Sequence, residues 1–244
     1  MPEVSTYRRY ICLLINIEKM RVAVVSGGTK GIGRAICELL LANDFFVHCS
    51  SRNIDRSFTH DYLMQHKIDM SSKEETQQFA KAVLAHSPCV DILVNNVGVF
   101  MPGKLMEEED GSFETQINTN LASTYHLTRS IISGIKKSTK PYIFNICSTA
   151  SITPYLNGGS YCISKYAQLG LTKVLREELK SDRIKVSAVM PGATLTNSWA
   201  ESDLPPERFT DPISVAKLIW TAYELSDTTV MEEILIRPMD GDIN

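Results

Sequence analysis

The chain has 244 residues, 43% of them hydrophobic, and a formal charge of −3 from 25 basic and 28 acidic side chains. That is enough apolar material for one buried core of domain size, and the charge balance offers no basic field for nucleic acid. The cysteines Cys12, Cys37, Cys49, Cys89, Cys147 and Cys162 lie far apart with no C-x-x-C pair, which predicts buried thiols in a reducing, cytoplasmic setting rather than disulfides.

Residues 1–19 pair Arg8 and Arg9 with an apolar run from Tyr10 to Ile17. The run is far shorter than the ~20 residues that span a bilayer, and no small-x-small cleavage site follows it. It reads as an extension of uncertain role preceding a domain over 20–244, and no other segment looks membrane-bound. From Met20 onward apolar runs at 21–26, 45–50, 65–69, 90–95, 141–147, 184–190 and 232–236 predict strands. Amphipathic segments at 31–42, 72–86, 113–137, 159–181 and 211–225 predict helices. In the first of these Ile32, Ala35, Ile36, Leu39 and Leu40 share one face, and Ser72 with Glu75 has the spacing of a capping box. Alternating strands and helices, with strands apolar on both faces, predict a single-domain, doubly wound parallel α/β sheet of Rossmann type. Such sheets bind ligands beyond the carboxyl ends of their strands.

The first strand ends in "SGGTKGIG", Ser26 to Gly33. Gly27, Gly31 and Gly33 permit positive φ and close backbone approach, and with Thr29 and Ile32 they lead into a helix N-terminus that favours a pyrophosphate. The spacing is G-x-x-x-G-x-G, not the G-x-G-x-x-G of many dinucleotide sites. At the end of the second strand "CSSRN" carries Ser51 and Arg52 and no carboxylate for a ribose 2′-OH. A missing acid and two cations, Arg52 and Lys30, suit a 2′-phosphate and predict NADP(H) rather than NAD.

Farther on, Ser148 ends a strand, Tyr161 follows thirteen residues later, and Lys165 lies four beyond that. Positions i and i+4 share a helix face, so Tyr161 and Lys165 point together toward the carboxyl edge of the sheet. With "SGGTKGIG", "NNVG" (Asn95 to Gly98), "NTNL" (Asn118 to Leu121), Ser148, Tyr161, Lys165 and "PGATLT" (Pro191 to Thr196), the chain resembles the short-chain dehydrogenase/reductase family over about residues 20–244. Its departures are mild: Ser26 stands for Thr, Val97 for a small Ala, and Cys147 for a common second Ser.

The resemblance implies a carbonyl or alcohol substrate, with Tyr161 as acid/base, Ser148 on the substrate oxygen, Lys165 on the nicotinamide ribose, and Asn120 supporting a water-linked proton path. It implies cofactor contacts for Asn96, Gly98, Pro191, Gly192 and Thr196. Asp69, beside Met70, matches the family's acid near the adenine, although a helix N-terminal carboxylate is an equal reading. A cation near a phenol lowers its pKa from about 10 by about 1–3 units, so Lys165 together with a cationic nicotinamide is expected to bring Tyr161 down into a useful range. Trp199, Leu204, Tyr155 and Met101 are expected near the substrate. The helices 113–137 and 159–181 resemble those that pair subunits in this family, which implies a homodimer or homotetramer. The rivals are a cofactor-binding regulator without turnover, against which the intact Ser148, Tyr161 and Lys165 count, and an epimerase or dehydratase with an added substrate domain.

Overall fold

The computed structural model describes residues 20–199 and 202–243; the extension 1–19, with Cys12, lies outside the described residues. Strands β1 (Arg21–Ser26), β2 (Phe45–Ser51), β3 (Leu63–Lys67), β4 (Ile92–Asn95), β5 (Tyr142–Ile146), β6 (Lys185–Pro191) and β7 (Glu233–Ile236) form one parallel sheet in the order β3-β2-β1-β4-β5-β6-β7. The order reverses between β1 and β4, where β1 pairs with both β2 and β4. A crevice opens at such a switch point because the chains leaving the two strands diverge to opposite faces.

Helix α1 (Gly31–Leu41) and helix α6 (Pro212–Glu224) cover one face. On that side Ile36 and Leu40 pack with Val215, Ile219 and Tyr223 against Val25, Val47 and Phe144. Helices α2 (Lys73–His86), α4 (Ser123–Ile135) and α5 (Gly159–Leu179) cover the other, where Phe79, Leu127, Ile131 and Leu179 meet Val24, Leu93, Ile143 and Val186. Neighbouring residues of one strand thus enter different cores, as the period of two requires, and this is why the central strands read as continuous apolar runs. Each such side chain contributes about 1.5–3 kcal/mol on burial. The edge strands β3 and β7 are only half-buried.

Every expected strand and helix is present, with local differences. The third strand lies at Leu63–Lys67, two residues earlier than 65–69, because pairing with β2 ends at Ser51↔Lys67. The helix expected over 113–137 is interrupted: α3 (Ser112–Ile117) passes into a π turn at Asn118–Ala122 before α4 begins. The capping box is half formed. Ser72 Oγ accepts from the Glu75 amide at 3.2 Å, but the Glu75 carboxylate accepts from the Asp69 amide at 2.7 Å and Ser72 N donates to the Asp69 carbonyl. Cys37, Cys49, Cys147 and Cys162 are buried free thiols, whereas Cys89 is half-exposed. Among the described residues no helix is long and apolar enough to cross a membrane.

Candidate active site

The turn after β1 is shaped by two left-handed glycines, Gly27 (φ +68°) and Gly31 (φ +53°), a conformation that costs other residues strain. Gly33 is required for a different reason: a Cβ there would stand 2.2 Å from the Gly27 carbonyl oxygen. The first helical bond of α1 runs from Arg34 N to Lys30 O at 3.1 Å, so the amides of Gly31, Ile32 and Gly33 precede the ladder. No acidic residue occupies that first turn. The turn is held from behind, where Ser26 Oγ accepts from the amides of Asn96 at 2.9 Å and Val97 at 3.1 Å. Asn96 Nδ2 in return donates to the carbonyls of Ser26 and Gly27. The hydroxyl at position 26 is therefore what ties β1 to the end of β4.

Lys30 and Arg52 are exposed at the rim of the same cleft. The next acid after Arg52 is Asp55, and its carboxylate accepts from the hydroxyl and amide of Ser57, the main cause of its lowered pKa, and pairs with Arg34 at 3.0 Å. Asp69 faces the cleft while its Oδ1 accepts from the amide and hydroxyl of Ser71, the main cause of its lowered pKa. Ser72, not Asp69, is the N-cap of α2. Met70 lies beneath, buried in the core on the α2 side.

At the other end Ser148 leaves β5 and caps a short turn, its Oγ accepting from Ala150 N at 3.1 Å. Tyr161 and Lys165 sit on successive turns of α5 and both line the cleft, with Lys165 Nζ 5.9 Å from the centre of the Tyr161 ring. Lys165 is buried and donates to the Ile146 carbonyl and to Gln168 Oε1, each at 3.0 Å. Loss of hydration pushes its pKa down to about 8. Burial raises the pKa of the Tyr161 phenol, and the Ser148 hydroxyl beside it pulls the other way. Gly98 leaves room at this corner, since a Cβ on it would stand 3.5 Å from Lys165 Nζ.

Asn120 is fully buried in the π turn, whereas Asn118 is exposed, which selects Asn120 of the two. Its side chain is fully engaged: Oδ1 accepts from Val99 N at 2.7 Å, and Nδ2 donates to Val99 O and Ser164 Oγ. It ties the segment after β4 to α5. After β6, Pro191 and Gly192 form the far wall, and Thr196 folds back so that its Cγ2 covers Gly31.

These elements enclose one cleft of about 980 Å³. All the catalytic and cofactor residues selected from the sequence line it except Gly33 and Asn120, which support it from behind. Among the expected substrate contacts Tyr155 and Trp199 line the cleft, and Trp199 also packs on Phe209 with ring centres 5.2 Å apart. Met101 and Leu204 do not. The residue beside Met101, Phe100, takes that place instead and meets the Tyr161 ring edge-on at 4.9 Å.

Two further residues escape the motif reading. Glu108 accepts from Ser160 N at 2.7 Å and from the Ser160 hydroxyl, so a carboxylate distant in sequence caps α5, which has no cap of its own. Nothing in the local sequence signals it. Gln168 does carry a signal, being a polar residue three positions past Lys165 on the buried face.

The family model described as short chain dehydrogenase matches residues 21–206. A sepiapterin reductase of Chlorobaculum tepidum is 27% identical over 238 residues, covering 91% of this chain and 98% of that protein. A 3-oxoacyl-(acyl-carrier-protein) reductase of Haemophilus influenzae is 29% identical over 182 residues, covering 72% of this chain and 75% of its own length. Among solved structures, a metagenomic short-chain oxidoreductase in complex with NADP has a TM-score of 0.78 and 28% identity, over 90% of this chain and 97% of that one. The chain belongs to the short-chain dehydrogenase family, whose members are oxidoreductases that use nicotinamide cofactors.

Proposed function

We propose that the chain is an NADP(H)-dependent oxidoreductase that interconverts a ketone or aldehyde with its alcohol. The observation that carries the reading is the position of Lys165: a buried ammonium fixed by two oxygens, in one cleft with Tyr161 and Ser148 and continuous with the glycine turn. The residues present fit the cofactor. The turn leaves a cradle that side chains would fill, Lys30 and Arg52 stand where a 2′-phosphate would lie, and the first acid past β2, Asp55, is engaged by Arg34 and Ser57 rather than free to hold a ribose diol. Asp69 and Met70 would flank the adenine, Asn96 and Gly98 the adenosine side, and Pro191, Gly192 and Thr196 the nicotinamide. That ring, when bound, supplies or accepts the hydride.

The chain's own residues manage the proton. In reduction the Tyr161 hydroxyl gives its proton to the substrate oxygen, and in oxidation it takes one from the alcohol. Burial keeps the phenol protonated at neutral pH, which suits the donor role, and with the Lys165 ammonium 5.9 Å from the ring centre the phenolate left behind costs less. Ser148 Oγ donates to the same substrate oxygen and fixes its direction. Lys165 spends two of its three N–H groups on Ile146 O and Gln168 Oε1, leaving the third for the cleft. Phe100, Tyr155 and Trp199 exclude water around the reacting oxygen.

The two named relatives are a sepiapterin reductase and a 3-oxoacyl-(acyl-carrier-protein) reductase, which supports the direction of the proposal. The exposed apolar side chains Phe113, Tyr125, Ile163, Tyr166 and Val174 on α3, α4 and α5 support a homodimer or homotetramer, to be checked by light scattering. The activity is tested by steady-state NADPH oxidation against ketones, 3-oxoacyl thioesters and simple aldehydes, with hydroxy acids in reverse. Turnover with members of one class is expected. Tight NADPH binding with no turnover across the whole panel would overturn it in favour of a cofactor-binding regulator.

A further inference from the structure

Behind Lys165 runs a chain of buried polar side chains that the proposed reaction does not use. Gln168 has no exposed surface, and neither its Oε1 nor its Nε2 reaches the cleft. Its Oε1 accepts from Lys165 Nζ at 3.0 Å, and its Nε2 donates to Thr124 Oγ1 at 3.0 Å. Thr124 Oγ1 in turn donates to the Asn120 carbonyl at 3.4 Å.

The direction of this chain is fixed by chemistry. An ammonium only donates, so the amide atom facing Lys165 must be the oxygen, and the NH₂ is left for Thr124. A hydroxyl that accepts from Gln168 has its single hydrogen free for Asn120 O. We propose that Gln168 is a positioning residue that holds Lys165 charged and aimed at the cleft, through a side-chain relay anchored on Thr124 of α4 and the π turn at Asn120.

The inference rests on the reading in which Lys165 acts on the ribose and on Tyr161, and it adds the part that keeps Lys165 in that role. The same spacing explains why the relay forms. Gln168 lies three residues past Lys165 and so covers the same helix face, turned toward α4 rather than toward solvent. The contact also bears on a conflict: burial favours the neutral amine and the nearby Cys147 opposes that, and a fixed carbonyl-type oxygen at 3.0 Å on the ammonium favours the charged form as well.

The test is the titration of the Lys165 side chain, followed by heteronuclear NMR on protein labelled at lysine, together with the pH profile of kcat. Gln168→Leu removes the acceptor at nearly constant volume, and the Lys165 midpoint should fall by about one unit. The basic limb of kcat should move down with it. Gln168→Glu places a carboxylate against the ammonium and should move both readouts the other way. Thr124→Val, which cuts the relay one step farther out, should give a smaller downward shift. If Gln168→Leu does not fold, the opposed shifts of the Glu and Val variants carry the test.

Midpoints unchanged from the parent in these variants, or shifts in one direction for all of them as general loosening of α5 would give, overturn the proposal. Because the titration needs no substrate, a protein inert toward every carbonyl would sink the functional reading while this inference is still decided by the midpoints.

Discussion

The two ends of the cleft carry cations in opposite settings. Lys30 and Arg52 stand exposed on the rim beside the glycine turn, whereas Lys165 is buried with its nitrogen pinned between a carbonyl and an amide oxygen. An exposed cation keeps its hydration and its freedom, so it attracts a phosphate but shifts the protonation of a neighbour only as a minor contribution, as Arg52 does for Asp69. A buried one has lost hydration, its pKa has fallen to about 8, and each oxygen around it matters. On the proposed reading, choice of cofactor falls to the wet end of the cleft and proton management to the dry end.

The sharpest way to break this division is at the dry end. Tyr161→Phe keeps the ring and its contact with Phe100, so NADPH should bind as in the parent while kcat falls by about 10²–10⁴-fold. Fluorescence titration with stopped-flow turnover measures both, and retained activity would remove Tyr161 from its role. At the wet end Arg52→Ala should weaken NADPH by about 10–100-fold, the worth of a charge-assisted hydrogen bond, and leave NADH unchanged. Equal losses for the two nucleotides would show that Arg52 does not read the 2′-phosphate.

Burial should govern ionisation elsewhere in the same sheet, and His48 tests that. It is buried in β2, with Nδ1 3.0 Å from His66 Nε2 and Nε2 3.0 Å from Ser87 Oγ, while His86 bonds the same hydroxyl. Loss of hydration, then the charges of His66 and His86, lower its pKa from 6.5 to about 3. The folded form therefore resists a proton that the unfolded chain binds. Its stabilising contribution is complete above about pH 6.5 and is lost progressively as pH falls toward 3, by about 2 kcal/mol between pH 6.5 and 5. Urea unfolding at stepped pH should show His48→Asn taking up about one proton fewer on unfolding than the parent. The smallest effect expected is that of salt: raising ionic strength from about 0.05 to 0.5 M should weaken NADPH a few-fold, because only rim charges are screened, and should leave the Lys165 midpoint nearly in place.

The sheet was legible because its central strands are apolar on both faces, a pattern that a parallel sheet covered on two sides imposes. The third strand was misplaced because "HKI" continues the alternation after pairing has stopped: Ile68 N still donates to Ser51 O, but Asp69 turns away. The cleft residues were legible as motifs, since each needs its residue type for a local reason such as a φ, a hydroxyl or a charge. What escaped depends on contacts between segments. Glu108 is invisible in sequence because it caps a helix that begins far along the chain, and the choice of Phe100 over Met101 is set by which way one loop residue turns.

The π turn at Asn118–Ala122 fits one extra residue into an otherwise ordinary helix. Deleting that residue would restore a regular ladder, but everything on one side of the cut would swing by about 100° around the axis relative to the other. Either Asn120 would leave Val99 and Ser164, or Leu127, Ile131 and Ile135 would roll out of the core. The irregularity is therefore trapped between two demands of different origin, one from the chemistry and one from the packing, and no single-residue shortening satisfies both.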